Sequence, residues 1–196
     1  MKKMILILIF LIACMVPGTI MGSSTEDKKA YDEGEFVAPS IKVTRFNEDM
    51  GMMLGIRAGW IAERNFTIDG CFYGLITEVS SPRRGSNLGV GYSGLSVEYT
   101  ILPDKPVHIL INTMIGMGLV SFIRNYDEPY NPDKDELHSI ITVLEPGAGL
   151  EFNVTDYFRI MLGASYRLVD GVILKNLKND DFGGITATLA LRFGRF

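Results

Sequence analysis

The 196-residue chain holds only two cysteines, two histidines and one tryptophan. Cys14 falls in the apolar N-terminal stretch, which leaves Cys71 alone in the remainder. A single cysteine forms no internal disulfide, so packing and backbone hydrogen bonding must hold the fold. Beyond residue 22 no stretch offers the roughly 18 uninterrupted apolar residues of a membrane-spanning helix. No phosphate-binding glycine loop, no zinc-ligand spacing and no nucleophile elbow occurs. A basic excess is also missing: without Lys2 and Lys3 the 19 basic residues fall to 17, against 23 acidic ones. That balance argues against a nucleic-acid partner. No cofactor is expected.

What the chain does contain is apolar and glycine-rich. Hydrophobic residues make up 47 % of it, with 21 glycines, which suits either a hydrophobic soluble β protein or a membrane barrel. Residues 1–22 have the form of a signal peptide: Lys2 and Lys3, an apolar run from Met4 to Val16, the breaker Pro17-Gly18, and small residues at Gly22-Ser23-Ser24. Leu11-Ile12-Ala13-Cys14 also resembles a lipobox, in which Cys14 would be acylated. Residues 23–35 are polar, charged and aperiodic, and read as a flexible leader. Residues 36–196 then carry the strand period.

The pattern is clearest over 140–170. Leu144, Pro146, Ala148, Leu150 and Phe152 alternate with Glu145, Gly147, Gly149 and Glu151. Phe158, Ile160, Leu162, Ala164, Tyr166 and Leu168 alternate with Arg159, Gly163, Ser165 and Arg167. The period is two, that of a strand, and Asn153-Val154-Thr155-Asp156 suits a hairpin turn. The polar face carries glycines and full charges of both signs, which suggests a packed ionic interior with the apolar face towards lipid. The spacing predicts eight strands: about 39–46, 50–62, 66–77, 88–101, 107–120, the hairpin pair, and 184–193. The third is apolar on both faces, which leaves its orientation open. The nearly apolar 107–123 also admits a helix, against which Asn112, Thr113 and two glycines weigh. Links after strands two, four and six are short; those after three, five and seven are long, as in a barrel with short periplasmic turns and long external loops.

These features resemble the small eight-stranded outer-membrane barrels of the OmpA/OmpX type, over about residues 36–196. The resemblance rests on strand count, loop rhythm, the signal segment and the terminal Phe196, with no local motif. It implies an all-β, eight-stranded, antiparallel, up-and-down transmembrane barrel in the bacterial outer membrane. It also implies contact with outer-membrane lipid, passage through the barrel-assembly machinery during biogenesis, and a lumen filled by side chains. Phe196 matches the terminal aromatic read in assembly, although it is one residue out of step with Leu189, Leu191 and Phe193.

The residues expected to form a charge network in that lumen are Arg57, Glu98, Glu145, Glu151, Arg159, Arg167 and Arg192; charges removed from water need partners. Asp127, Asp133 and Asp135 are candidate ligands for a hard cation in an external loop, though the glycine and spacing of a calcium loop are missing. Arg83-Arg84 offers a contact for lipid phosphates. Trp60, Tyr92, Tyr99, Tyr157, Phe158 and Tyr166 read as interfacial aromatics. The resulting expectation is a non-enzymatic barrel, structural or recognising an unnamed partner through loops 78–87, 121–139 and 170–183. Two alternatives stand beside it. One is a soluble periplasmic or secreted barrel binding an apolar ligand, with Leu150, Ile160 and Leu189 inside. The other is a lipid-modifying enzyme using His138 and Ser139, which adjacent strand positions turn to opposite faces.

Overall fold

The computed structural model describes residues 34–47, 49–62, 65–82, 86–124 and 138–196. The signal segment 1–22 with Cys14, the leader up to residue 33, Arg83, Arg84, Asp127, Asp133 and Asp135 lie outside the described residues.

Eight strands follow one another: β1 Gly34–Phe46, β2 Asp49–Ala62, β3 Phe66–Leu75, β4 Ser86–Ile101, β5 Val107–Arg124, β6 His138–Thr155, β7 Phe158–Asp170 and β8 Gly184–Arg195. Each pairs antiparallel with its chain neighbours, and β1 pairs with β8, closing the barrel. Residue pairs followed round the sheet from Gly34 through Ile61, Thr67, Glu98, Asn112, Gly147, Ser165 and Thr186 return to β1 at Thr44, ten residues on. A stagger of that size sets the strands at roughly 40° to the barrel axis. Even the shortest, β3 with 10 residues, reaches the roughly 9–11 residues that cross a bilayer at such a tilt.

Several boundaries move from their expected places. β1 starts at Gly34, two residues inside the expected leader, because Gly34 and Glu35 pair with Ile61 and Trp60 of β2. β5 and β6 run on to Arg124 and back from His138, pairing as far as Ser121–His138. The β6–β7 turn sits at Asp156-Tyr157, two residues later than the NVTD reading, after an irregularity in the ladder between Asn153 and Thr155. The stretch 107–123 is strand throughout.

Period-two alternation separates two surfaces. Even-numbered residues of β1, β4, β5 and β8 and odd-numbered residues of β2, β3, β6 and β7 point inward. The interior set includes Lys42, Arg57, Asp69, Glu98, Glu145, Glu151, Arg167 and Arg192, all buried. The outer set is apolar: Leu54, Ile68, Phe72, Leu95, Ile111, Ile115, Met117, Leu162 and Ile185 are exposed. The soluble alternative is thereby corrected. Leu150 and Leu189 are exposed on the outside, Ile160 shares their face, and the arginines are inside. Turning the arginines outward would need a one-residue shift of every strand at once.

The lumen is packed at both ends. The β7–β8 connection, expected as an open recognition loop, folds over one end instead. Leu174, Leu177 and Phe182 are buried there with Phe46, Val79, Val120, Ile141 and Val143. A single 3-10 turn, Asn179–Asp181, shapes it. Asn179 donates to Asp170 at 2.7 Å and accepts the Val172 N–H at 3.0 Å. Gly171 begins the loop at φ +98°, where a Cβ would meet the Ile140 carbonyl at 2.7 Å. The apolar side chains of this segment drive it inward, since leaving them in water forfeits their burial free energy. At the short-turn end Phe36, Ala38, Ile61, Leu110, Met161 and Ala190 pack with Phe196. The terminal aromatic therefore points into the barrel, and the outward aromatic of β8 is Phe193, stacked on Phe158 with ring centres 4.8 Å apart.

Candidate functional site

Between the two apolar plugs the lumen is ionic. One cluster is an alternating chain of carboxylates and guanidinia. Arg57 on β2 grips Asp69 on β3 through two parallel hydrogen bonds of 2.9 and 2.6 Å. The same guanidinium reaches Glu98 on β4 at 3.4 Å. Glu98 accepts from Arg192 on β8 at 2.6 Å, and Arg192 donates to Glu151 on β6 at 2.7 Å. Arg159 on β7 closes the series on Glu151 at 2.9 Å and lies 4.0 Å above the Phe196 ring. Three arginines thus face Asp69, Glu98 and Glu151, and the formal charge cancels. Strand periodicity places each of these side chains inward, and ring closure brings β8 beside β1 so that Arg192 can reach across.

The second cluster lies around Glu145 on β6. Lys42 on β1 donates to it at 2.6 Å, Ser165 on β7 at 2.6 Å, and the Tyr92 hydroxyl on β4 at 3.1 Å. The Lys42 ammonium also stands 3.9 Å from the centre of the Tyr73 ring, within cation–π range. Gly55 on β2 is required beneath that ring: a Cβ there would come within 2.2 Å of it.

Arg167 is held differently from the other six predicted charges. It donates to the Phe182 carbonyl at 2.7 Å and to Thr44 Oγ1 at 3.1 Å, and lies 4.5 Å over the Phe46 ring. It fastens the β7–β8 cap to the wall. Lys42 and Asp69 were missed as members. Lys42 sits in the weakly patterned β1, and Asp69 in β3, whose apolar residues on both faces hide its orientation. Tyr92, expected at the interface, is buried in the lumen at 2 % exposure. Trp60, Tyr99, Tyr157 and Tyr166 are on the outer surface.

The remaining candidates do not converge. Ser139 is buried and accepts the Ile173 N–H at 2.9 Å, while His138 is exposed on the opposite face. They form no hydroxyl–imidazole pair. His108 is buried near the short-turn end, its Nε2 2.9 Å from Asn153 Oδ1. Among the described residues no group of three or more His, Cys, Asp or Glu side chains is placed to hold a metal ion. Chemically, the two clusters are sets of neutralised cross-strand ties, and Arg167 is held apart from them by neutral acceptors and an aromatic ring.

Neither a protein-family model nor a curated protein sequence matches the chain. Solved structures do match in fold. The N-terminal β-barrel domain of Pseudomonas aeruginosa OprF is 15 % identical with a TM-score of 0.57, over 85 % of this chain and 99 % of that one. Neisserial surface protein A is 16 % identical with a TM-score of 0.54, over 83 % and 95 %. Ail, the attachment invasion locus protein of Yersinia pestis, is 15 % identical with a TM-score of 0.51, over 84 % and 97 %. The chain has the closed eight-stranded barrel fold of these proteins.

Proposed function

We propose that the chain is a bacterial outer-membrane β-barrel, non-enzymatic, whose work is structural or surface recognition. The carrying observation is the inverted wall: an exposed apolar outer surface around a buried lumen of cross-strand ion pairs. Water solvates the first poorly and lipid solvates it well. The two apolar plugs and the ionic ties leave no wide pore, as eight strands enclose little more than side chains. The likeness to the OprF barrel domain, neisserial surface protein A and Ail supports the same reading. Recognition would fall to loops 78–87 and 121–139, because 171–183 is spent on capping the lumen. Outer-membrane lipid is then the wall's partner, and the barrel-assembly machinery its partner during insertion.

Fractionation of the host cell tests this. The chain is expected in the outer-membrane fraction, and its unboiled form is expected to run at a different position on a denaturing gel from its boiled form. Recovery in the soluble fraction, with one mobility, would remove the membrane reading.

A further inference from the structure

A cavity of about 30 Å³ opens in the middle of the lumen, between the two ionic clusters. Its boundary includes Lys42, Arg57, Tyr73, Ser96, Asn112 and Glu145. On one side the wall is thin, because Gly149 of β6 and Gly163 of β7 face each other without side chains. A Cβ at Gly163 would find its nearest neighbour, Met161 Sδ, at 3.2 Å. Ser96 is 2 % exposed, and its Oγ has no hydrogen-bond partner among the described residues. Buried hydroxyls are rarely left so, because they lose their bonds to water and gain none in return.

We propose that this cavity is a built water site, holding about two ordered molecules that bond Ser96 Oγ and link the Arg57 chain to the Lys42–Glu145 cluster. The room is right: one water takes roughly 10–15 Å³ of such volume. The electrostatics select water over an ion. Each cation at the wall is already held by a carboxylate, Arg57 by Asp69 and Lys42 by Glu145, which leaves neither free to hold an ion. Leu110, Met114 and Met161 supply apolar wall, but Ser96, Asn112, Lys42 and Glu145 also border the space, which gives a water molecule the two to four polar partners it needs. Bridging water also binds two charged clusters at little cost beyond its own immobilisation.

Crystals of the full wild-type barrel, at a resolution that shows ordered water, test the proposal. Density is expected within hydrogen-bond distance of Ser96 Oγ. In Ser96→Ala that peak should be lost while the heat-modifiable gel mobility is kept. In Gly163→Ala the added methyl should remove one peak. A wild-type cavity that is dry, or filled by an ion, a detergent tail or a shifted Lys42, would overturn it; so would peaks unchanged in Ser96→Ala. If Ser96→Ala fails to fold, the wild-type density decides alone. A dry cavity would leave the membrane reading untouched.

Discussion

Replacing Glu98 by alanine is expected to lower the stability of the folded barrel by about 3 kcal/mol, the low end of what breaking a buried ion pair costs. Glu98 is 1 % exposed and is the carboxylate shared by Arg57 and Arg192. Without it, Arg57, Arg159 and Arg192 face only Asp69 and Glu151, and their chain is left with one uncompensated positive charge. The cost stays at the low end because Arg57 keeps Asp69 and Arg192 keeps Glu151. The check is urea unfolding of the barrel in lipid vesicles, followed by the emission of Trp60, the only tryptophan. Glu78→Ala, at an exposed loop carboxylate, is the control and should stay within about 0.5 kcal/mol of wild type. Equal, small changes for both variants would mean that the ionic ties do not support the barrel.

Ile115→Arg should cost about 2–4 kcal/mol, the range for an arginine on the lipid face near the bilayer midplane. Ile115 is 60 % exposed in the middle of β5. A side chain so exposed loses no core packing on substitution, so the penalty comes from lipid alone. Val107→Arg, at the first residue of the same strand and beside the short turn, should cost about 0–1 kcal/mol, because the polar interface is within reach. The same unfolding measurement checks both. A water-facing wall would make both changes small and similar, which contradicts the account.

Much of this architecture was legible because alternation maps directly onto the faces of a strand. Glu145 and Glu151, Arg159 and Arg167 were placed on one face by spacing alone, and the structure puts all four inward. Which of them pair was not legible, since that depends on a ten-residue stagger and on β8 meeting β1. Arg167 illustrates the limit. Its period matches Arg159, yet its height in the barrel brings it to the cap and the Phe182 carbonyl. Asp69 was hidden because Phe66, Ile68 and Phe72 on the outside of β3 alternate with Cys71 and Tyr73 on the inside. Lys42 was hidden because a lone lysine among Ser40 and Thr44 looks like a wetted face. The inward fold of 171–183 left a weaker trace, the apolar Leu174, Leu177 and Phe182 in an otherwise polar link. Phe196 is out of step with Phe193, and its ring lies inside the barrel with Arg159 for that reason.

The central claim is that the apolar face of the sheet meets lipid, and Trp60 reports on it without any substitution. Its side chain is on the outer surface of β2, 49 % exposed. The wild-type barrel should be folded into vesicles whose acyl chains carry bromine. The account predicts that the emission is quenched by the brominated chains and is shielded from aqueous iodide. Strong quenching by iodide with none by the brominated lipid would contradict it.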